Sequence, residues 1–224
     1  MQHKQDLSNR FYEILWTAEQ NFGLWDYEKF ENQADELPAA GVYFFFEPGE
    51  LRANHDNWHR VVRVGTHQVS QGSKSSFKDR LRNHFGASES AIGRGSVFRD
   101  HVGASLFGRN GWEVHTDEVS HQRHSIVSTY IRSMSFVLVP VDDEAGRESE
   151  RRTIELGSIA LLSNYRLSQA EQIDPPSENW LRLRCESRAE PEDHVRRSGL
   201  WNVDGVDREY SPEFLNILEK RASR

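Results

Sequence analysis

Apolar side chains follow two rhythms along this chain, and the change from one to the other marks out its elements. Between residues 7 and 22, Leu7, Phe11, Ile14, Leu15, Ala18 and Phe22 recur at helical spacing, which predicts an amphipathic helix. GVYFFFEPGEL, from Gly41, is instead a continuous apolar aromatic run closed by Pro48-Gly49, the pattern of a buried strand followed by a turn. WHRVVRVGTH, from Trp58, is rich in β-branched residues, stops at Gly65 and predicts the partner strand. After a serine-rich loop, Ser76 and Asp79 form a capping-box signature, and Phe77, Leu81 and Phe85 recur every four residues, so a helix follows. SVFRDHVGASLF, from Ser96, predicts a second short helix, whereas Gly108 to His121 is polar, poor in pattern and reads as irregular. MSFVLVPVDD, from Met134, is a third strand, and its Pro140 marks either a sheet edge or the strand's end. SERRTIELGSIALLSNY, from Ser149, predicts a helix, and SPEFLNILEK predicts a last one, opened by a Ser N-cap with Pro at the first helical position.

These elements predict an α+β fold, with a small, mainly antiparallel three-stranded sheet flanked by helices. Residues 1–38 form an N-terminal helical extension, 39–165 the core, and 166–224 a C-terminal extension packed on that core. No apolar run approaches the roughly 20 residues needed to span a bilayer. The start, MQHKQDLSNR, is too polar for a signal peptide, so the expected address is the cytoplasm. A lone cysteine, Cys185, excludes an intrachain disulfide and any multi-cysteine metal site.

Charge sharpens the picture. A formal net charge of −7 argues against a protein that binds nucleic acid over its whole surface. Between Arg60 and Arg99, however, Arg60, Arg63, Lys74, Lys78, Arg80, Arg82, Arg94 and Arg99 face only Asp79 and Glu89. Such a segment could hold a polyanion locally, or be a basic surface balanced by the acidic termini.

Within that segment, Arg80 and His84 lie four apart, one turn from each other beside the apolar stripe of their helix. They are either a solvated face or a functional pair. Glu155 shares a helix face with Ser158, Ile159 and Leu162 and leans toward the protein body, unless it pairs with Arg151 or Arg152 one turn earlier. Tyr43 is either a core aromatic among Phe44, Phe45 and Phe46 or a placed hydroxyl. His115, His121 and His124 match no recognised ligand spacing, and Glu171 to Asp174 and Glu190 to Asp193 read as solvated acidic turns.

Taken in order, these motifs resemble the GIY-YIG nuclease superfamily. Gly41-Val42-Tyr43 matches its first motif with Val for Ile, and Arg63-Val64-Gly65 sits where the second belongs. Arg80 stands where the family carries its helix arginine, Glu155 where it carries a metal-binding glutamate, and Asn164 resembles its trailing asparagine. The histidine four residues after the arginine is similar to the branch that contains restriction endonucleases. One departure matters: the second motif normally offers a tyrosine, and here that place is Arg63.

The resemblance implies a metal-dependent endonuclease, expected to act on DNA, using Mg2+ with Mn2+ as a possible substitute. It names Tyr43, Arg63, Arg80, His84 and Glu155 as catalytic, with Glu155 the metal ligand. Magnesium keeps most of its waters, so one carboxylate and a substrate phosphate can hold it. Arg80 can fork onto two phosphate oxygens, and His84 can take a proton near neutral pH. His67, Lys74, Lys78, Arg94 and Arg99 are the expected nucleic-acid contacts. A single site cuts one strand, so double-strand breaks would call for a homodimer or successive nicks. The competing expectation is a nucleic-acid-binding or scaffold protein on a decayed nuclease fold, which Arg63 in place of tyrosine and the acidic charge balance both favour.

Overall fold

The computed structural model describes residues 2–53, 55, 57–67, 76–86, 96–112, 117–144, 146, 148–184 and 193–224. In chain order, its elements begin with α1 (Gln2–Phe22), β1 (Leu24–Trp25), α2 (Tyr27–Gln33), β2 (Gly41–Leu51) and β3 (His59–Thr66). Then come α3 (Phe77–Phe85), α4 (Val97–Phe107), α5 (Arg109–Trp112), α6 (Asp117–Arg132), β4 (Ser135–Pro140) and α7 (Glu150–Leu162). Three further helices follow: α8 (Leu181–Arg184), α9 (His194–Ser198) and α10 (Glu213–Ala222).

Among the described residues the sheet has four strands in the order β1-β4-β2-β3, with every neighbouring pair antiparallel. The expected three strands are β2, β3 and β4. The two-residue β1, Leu24 and Trp25 opposite Val137 and Phe136, is too short to leave an alternating pattern in the sequence. Pro140 is a strand end rather than an edge, since β4 lies between β1 and β2.

β2 is apolar without alternation because both of its faces are covered. Val42, Phe44 and Phe46 join Val64, Val137 and Val139 in a core with Phe11, Ile14 and Leu15 of α1, Ile154 and Leu161 of α7, and Phe214 and Leu218 of α10. Tyr43 and Phe45 face the other way, into a second core with Phe77, Leu81 and Phe85 of α3, Phe98 and Val102 of α4, and Val127 and Ile131 of α6. The stretch expected to be irregular contains α5 and the start of α6, with residues 113–116 outside the described residues. The inner side of α6 presents Ser120, Val127, Ser128 and Ile131, and its buried serines hide the helical rhythm.

β3 would be an exposed edge without the C-terminal chain. The Trp201 N–H donates to Val62 O (2.7 Å). The Asn202 amide then takes the Val64 N–H (3.0 Å) and donates to Val64 O (2.8 Å), copying the pairing of a fifth strand. Trp201 is locked in turn by its indole N–H, which donates to buried Glu47 at 2.9 Å; Trp180 and Tyr130 donate to the same carboxylate. Burial pushes the Glu47 carboxyl above its ordinary value.

Asn202→Ala leaves two buried backbone groups of Val64 unpaired. It should lower stability by about 2–4 kcal/mol, read as a lower urea midpoint at unchanged m-value.

Candidate active site

The end of β3 carries a glycine because nothing larger fits beneath the Tyr43 ring. Tyr43 lies opposite Gly65 across β2 and β3, and a Cβ at Gly65 would sit 2.2 Å from the Tyr43 hydroxyl. The phenol therefore runs over the strand and reaches α3, where its Oη is 2.7 Å from His84 Nε2. The other ring nitrogen, Nδ1, is 2.9 Å from Ser96 Oγ, the N-cap of α4. Tyr43 and His84 both have no solvent exposure.

In the unbroken register that pairs Tyr43 with Gly65, Arg63 lies opposite Phe45, and strand alternation puts it on the side of the sheet that carries Tyr43. Its guanidinium stacks 4.7 Å from the Phe98 ring, donates from Nη1 to Trp201 O (2.5 Å) and stands near enough to Tyr43 to act on it electrostatically. Its Nε has no protein partner among the described residues. Glu155 arrives from α7 on the opposite face and meets this cluster at the strand's end, where Oε1 accepts the Thr66 N–H at 3.2 Å. The half-buried Arg80 completes it, near enough to act electrostatically on Arg63, His84 and Glu155.

Tyr43, Arg63, Arg80, His84 and Glu155 thus converge, and their charges act on one another. Burial first, then the cations Arg63, Arg80 and Arg99, hold the His84 imidazole well below its ordinary value, so the ring is neutral. Burial raises the Glu155 carboxyl; Arg63, the Thr66 N–H, Arg152 and Arg80 oppose that rise. The ion pair of Glu155 with Arg151 considered from the sequence does not form, because Arg151 pairs with Asp143.

The expected nucleic-acid contacts fare differently. Arg99 is 1% exposed and donates to the carbonyls of His84 and His124 (3.1 Å each), so it closes the C-terminal end of α3 instead of facing solvent. Burial lowers its guanidinium to about 10. His67 is buried against Phe77 and meets Arg151 Nη1 at 3.4 Å, with its imidazole pushed down to about 4 by burial and then by Arg151. Lys78 pairs with Asp35. Lys74 and Arg94 lie outside the described residues, as do His115 and Cys185. Asn164 does not face the cluster; its amide binds the Ile173 backbone in both directions at 2.9 and 3.0 Å. Sequence reasoning missed Ser96, Thr66 and Trp201, for which the only local signal was a helix N-cap at Ser96.

Glu155 suits a hard divalent ion, being an oxygen donor whose burial calls for compensating positive charge. Among the described residues no three His, Cys, Asp or Glu side chains cluster as a ligand cage, so a metal held here would take most of its other ligands from water and substrate.

The sheet, with a tyrosine, arginine, histidine and glutamate gathered at its end, is the arrangement expected from the resemblance to the GIY-YIG class of nuclease domain. A family model described as the GIY-YIG domain matches residues 1–224, and the chain belongs to that family. No curated protein and no solved structure matches it. No helix among the described residues is long and apolar enough to cross a membrane.

Gly65→Ala should push Tyr43 away from His84 and cost about 1–3 kcal/mol, as overpacking does; urea denaturation and the His84 ring resonances would register both effects. The depressed histidines fix the sign of an acid effect. The unfolded chain binds protons near pH 6.5 that the native His67 and His84 refuse, so their contribution is complete above that value and declines as the pH falls below it. In His67→Asn the slope of stability against pH between about 6.5 and about 4 should flatten by close to one proton, measured by urea titrations across that range.

Proposed function

We propose that the protein is a magnesium-dependent endonuclease that hydrolyses phosphodiester bonds in DNA, in the manner of a restriction or defence enzyme. The observation that carries this is the 2.7 Å contact between Tyr43 Oη and His84 Nε2, set among Arg63, Arg80 and Glu155. His84 is enclosed, so it reaches the reaction through Tyr43. The hydroxyl proton passes to Nε2, leaving a phenolate and an imidazolium; the phenolate takes a proton from the attacking water as its oxygen bonds to phosphorus. The imidazolium proton returns through solvent to the leaving oxygen. Arg63 stabilises the phenolate, and its unpartnered Nε, together with Arg80, is a donor for the phosphate. Glu155 would hold Mg2+, or Mn2+ in its place, and that ion supplies positive charge to the phosphate and the leaving oxygen. Since Tyr43 and His84 have no exposure, substrate entry must open the cover over them.

Residues 1–38 and 166–224 serve the 39–165 core in this reading as its supports, and the cytoplasm is its place of action. Clean double-strand cutting would take a homodimer or successive nicks. The competing reading, a nucleic-acid-binding protein on an inactive site, draws on Arg63, whose Nη1 is tied to Trp201 O in the tyrosine's place.

Purified protein should nick supercoiled plasmid in Mg2+ and stop in EDTA. Glu155→Gln should lose cleavage by about 100-fold or more with DNA binding retained. Arg63→Ala should be similarly damaging if Arg63 works in the site. No nicking in Mg2+ or Mn2+ at several salt concentrations would select the binding reading.

A further inference from the structure

Positive charge without a firm partner gathers in a pocket at the far end of α7 from the active-site cluster. The helix closes at Ser163, about 12 Å along its axis beyond Glu155. Ser163 Oγ donates to Val206 O at 2.6 Å, which ties the turn of residues 205–208 to the helix end. The pocket there has a volume of about 320 Å3, enough for a small ligand. Its floor is apolar, with Ala160 and Val206 buried and Leu167 half-buried. Its rim carries Lys4, Arg166 and Arg208 against one carboxylate, Glu209, and Tyr210 stands beside them.

Cations at a helix C-terminus have an ordinary explanation, as partners for its last carbonyls. Lys4 fits it, since its Nζ donates to Ser163 O at 2.7 Å. The two arginines do not. Arg166 meets only Glu209, at 3.8 Å, and the two side chains are 59% and 93% exposed. A pair so long and so wet holds little energy. The Arg208 guanidinium is exposed and has neither hydrogen bond nor ion pair among the described residues. Lys4 also keeps two ammonium hydrogens beyond the one given to Ser163. Donors from three separate segments are therefore open to an anion, and the planar forks of the arginines match a phosphate.

We propose that this pocket binds a small organic phosphate, with its head on Lys4, Arg166 and Arg208 and its apolar body on the floor beside Tyr210. An apolar floor alone would take a neutral ligand, and a cationic rim alone an inorganic ion; the two together select a molecule with both parts. A free nucleotide has that chemistry, and so does the 5′-phosphorylated end of a nucleic-acid strand. The inference stands apart from the endonuclease reading, since no residue of the Glu155 cluster lines the pocket. Lys4 gives the site a signature. Burial lowers its ammonium to about 8, and the charged and titratable groups facing it across the pocket are Arg166, Arg208, Glu209 and Tyr210. A bound phosphate monoester, dianionic above about pH 7, favours the charged amine and raises that value. Binding therefore weakens as the pH rises through about 8.

The test is an NMR titration of the full-length protein in EDTA with adenosine monophosphate, adenosine, inorganic phosphate and a short 5′-phosphorylated oligonucleotide. The amides of Ser163, Val206 and Arg208 report on the pocket, and the Lys4 side-chain resonance is followed against pH. Adenosine monophosphate should shift these amides and bind more tightly than inorganic phosphate, while adenosine should leave them unmoved. Arg166→Ala and Arg208→Ala, both at exposed positions, should each weaken binding by about 5-fold, the scale of a partly exposed charge pair. Lys220→Ala removes the same charge at the end of α10, whose Ala222 O accepts from Asn21 at the opposite end of α1 from Lys4, and should change nothing. The Lys4 midpoint should rise above its value of about 8 when adenosine monophosphate is bound. Tighter binding of the oligonucleotide at the same amides would assign the ligand to a strand end, and tighter binding of the mononucleotide to a free molecule. Unmoved amides with both phosphates, adenosine or inorganic phosphate binding as well as the mononucleotide, an unmoved Lys4 midpoint, or an equal loss in Lys220→Ala each overturn the proposal.

Discussion

The missing side chain at Gly65 is the constraint on which the site depends. With a Cβ there, Tyr43 could not lie across β3, because the two atoms would stand 2.2 Å apart. Once the phenol lies that way its hydroxyl meets His84 on α3, and the imidazole's far side meets Ser96 at the head of α4. Two helices and two strands are thereby tied to one ring. The apolar contacts of Phe77, Leu81 and Phe85 hold α3 on the sheet without fixing where along it the helix rests; the directional bond to Tyr43 supplies that.

The location of the site follows from burial on both faces of the sheet. Tyr43 and Glu155 come from helices and strands on opposite sides, and only at a strand's end can groups from the two cores meet without crossing the sheet. Thr66, one residue beyond Gly65, receives Glu155 there through its backbone N–H. The C-terminal chain contributes at the same strand, since Trp201 pairs with Val62 through its N–H and holds Arg63 through its carbonyl. One short segment thus seals an edge and positions a cation, and the anchor beneath it is a buried carboxylate, Glu47, with two indoles and a phenol as donors.

Much of this was legible in the sequence where the signal was local. The Ser76–Asp79 capping box, the four-residue stripe of α3 and the unbroken apolar run of β2 each follow from nearest-neighbour physics, and each is present. The convergence of Tyr43, Arg80, His84 and Glu155 was legible only as an ordered set of motifs. The placement of Arg63 on the Tyr43 side follows from strand alternation alone, whereas the register shift after Phe45 is announced by no pattern. What escaped was non-local or masked by polar residues. β1 is two residues long, α6 buries serines, and the interior place of Arg99 depends on carbonyls of α3 and α6 that are 15 and 25 residues away. A cation's direction cannot be read from its neighbours in sequence when its partners are backbone oxygens elsewhere.

The same inward turn changes what the basic segment can do. Arg60 pairs with Glu50, Lys78 with Asp35 and Arg82 with Asp79, while Arg63 and Arg99 give donors to backbone carbonyls. Charge that looked like a surface for a polyanion is, among these residues, largely neutralised or enclosed. In a chain of net charge −7 this leaves long-range attraction to nucleic acid weak, and it concentrates the useful positive potential at Arg63 and Arg80, beside the neutral His84. In the endonuclease reading, an incoming phosphate would meet those two cations and offset the positive field that adds to burial in keeping the imidazole from accepting a proton. In that reading, substrate binding and the basicity of His84 are linked through the same two guanidinium groups.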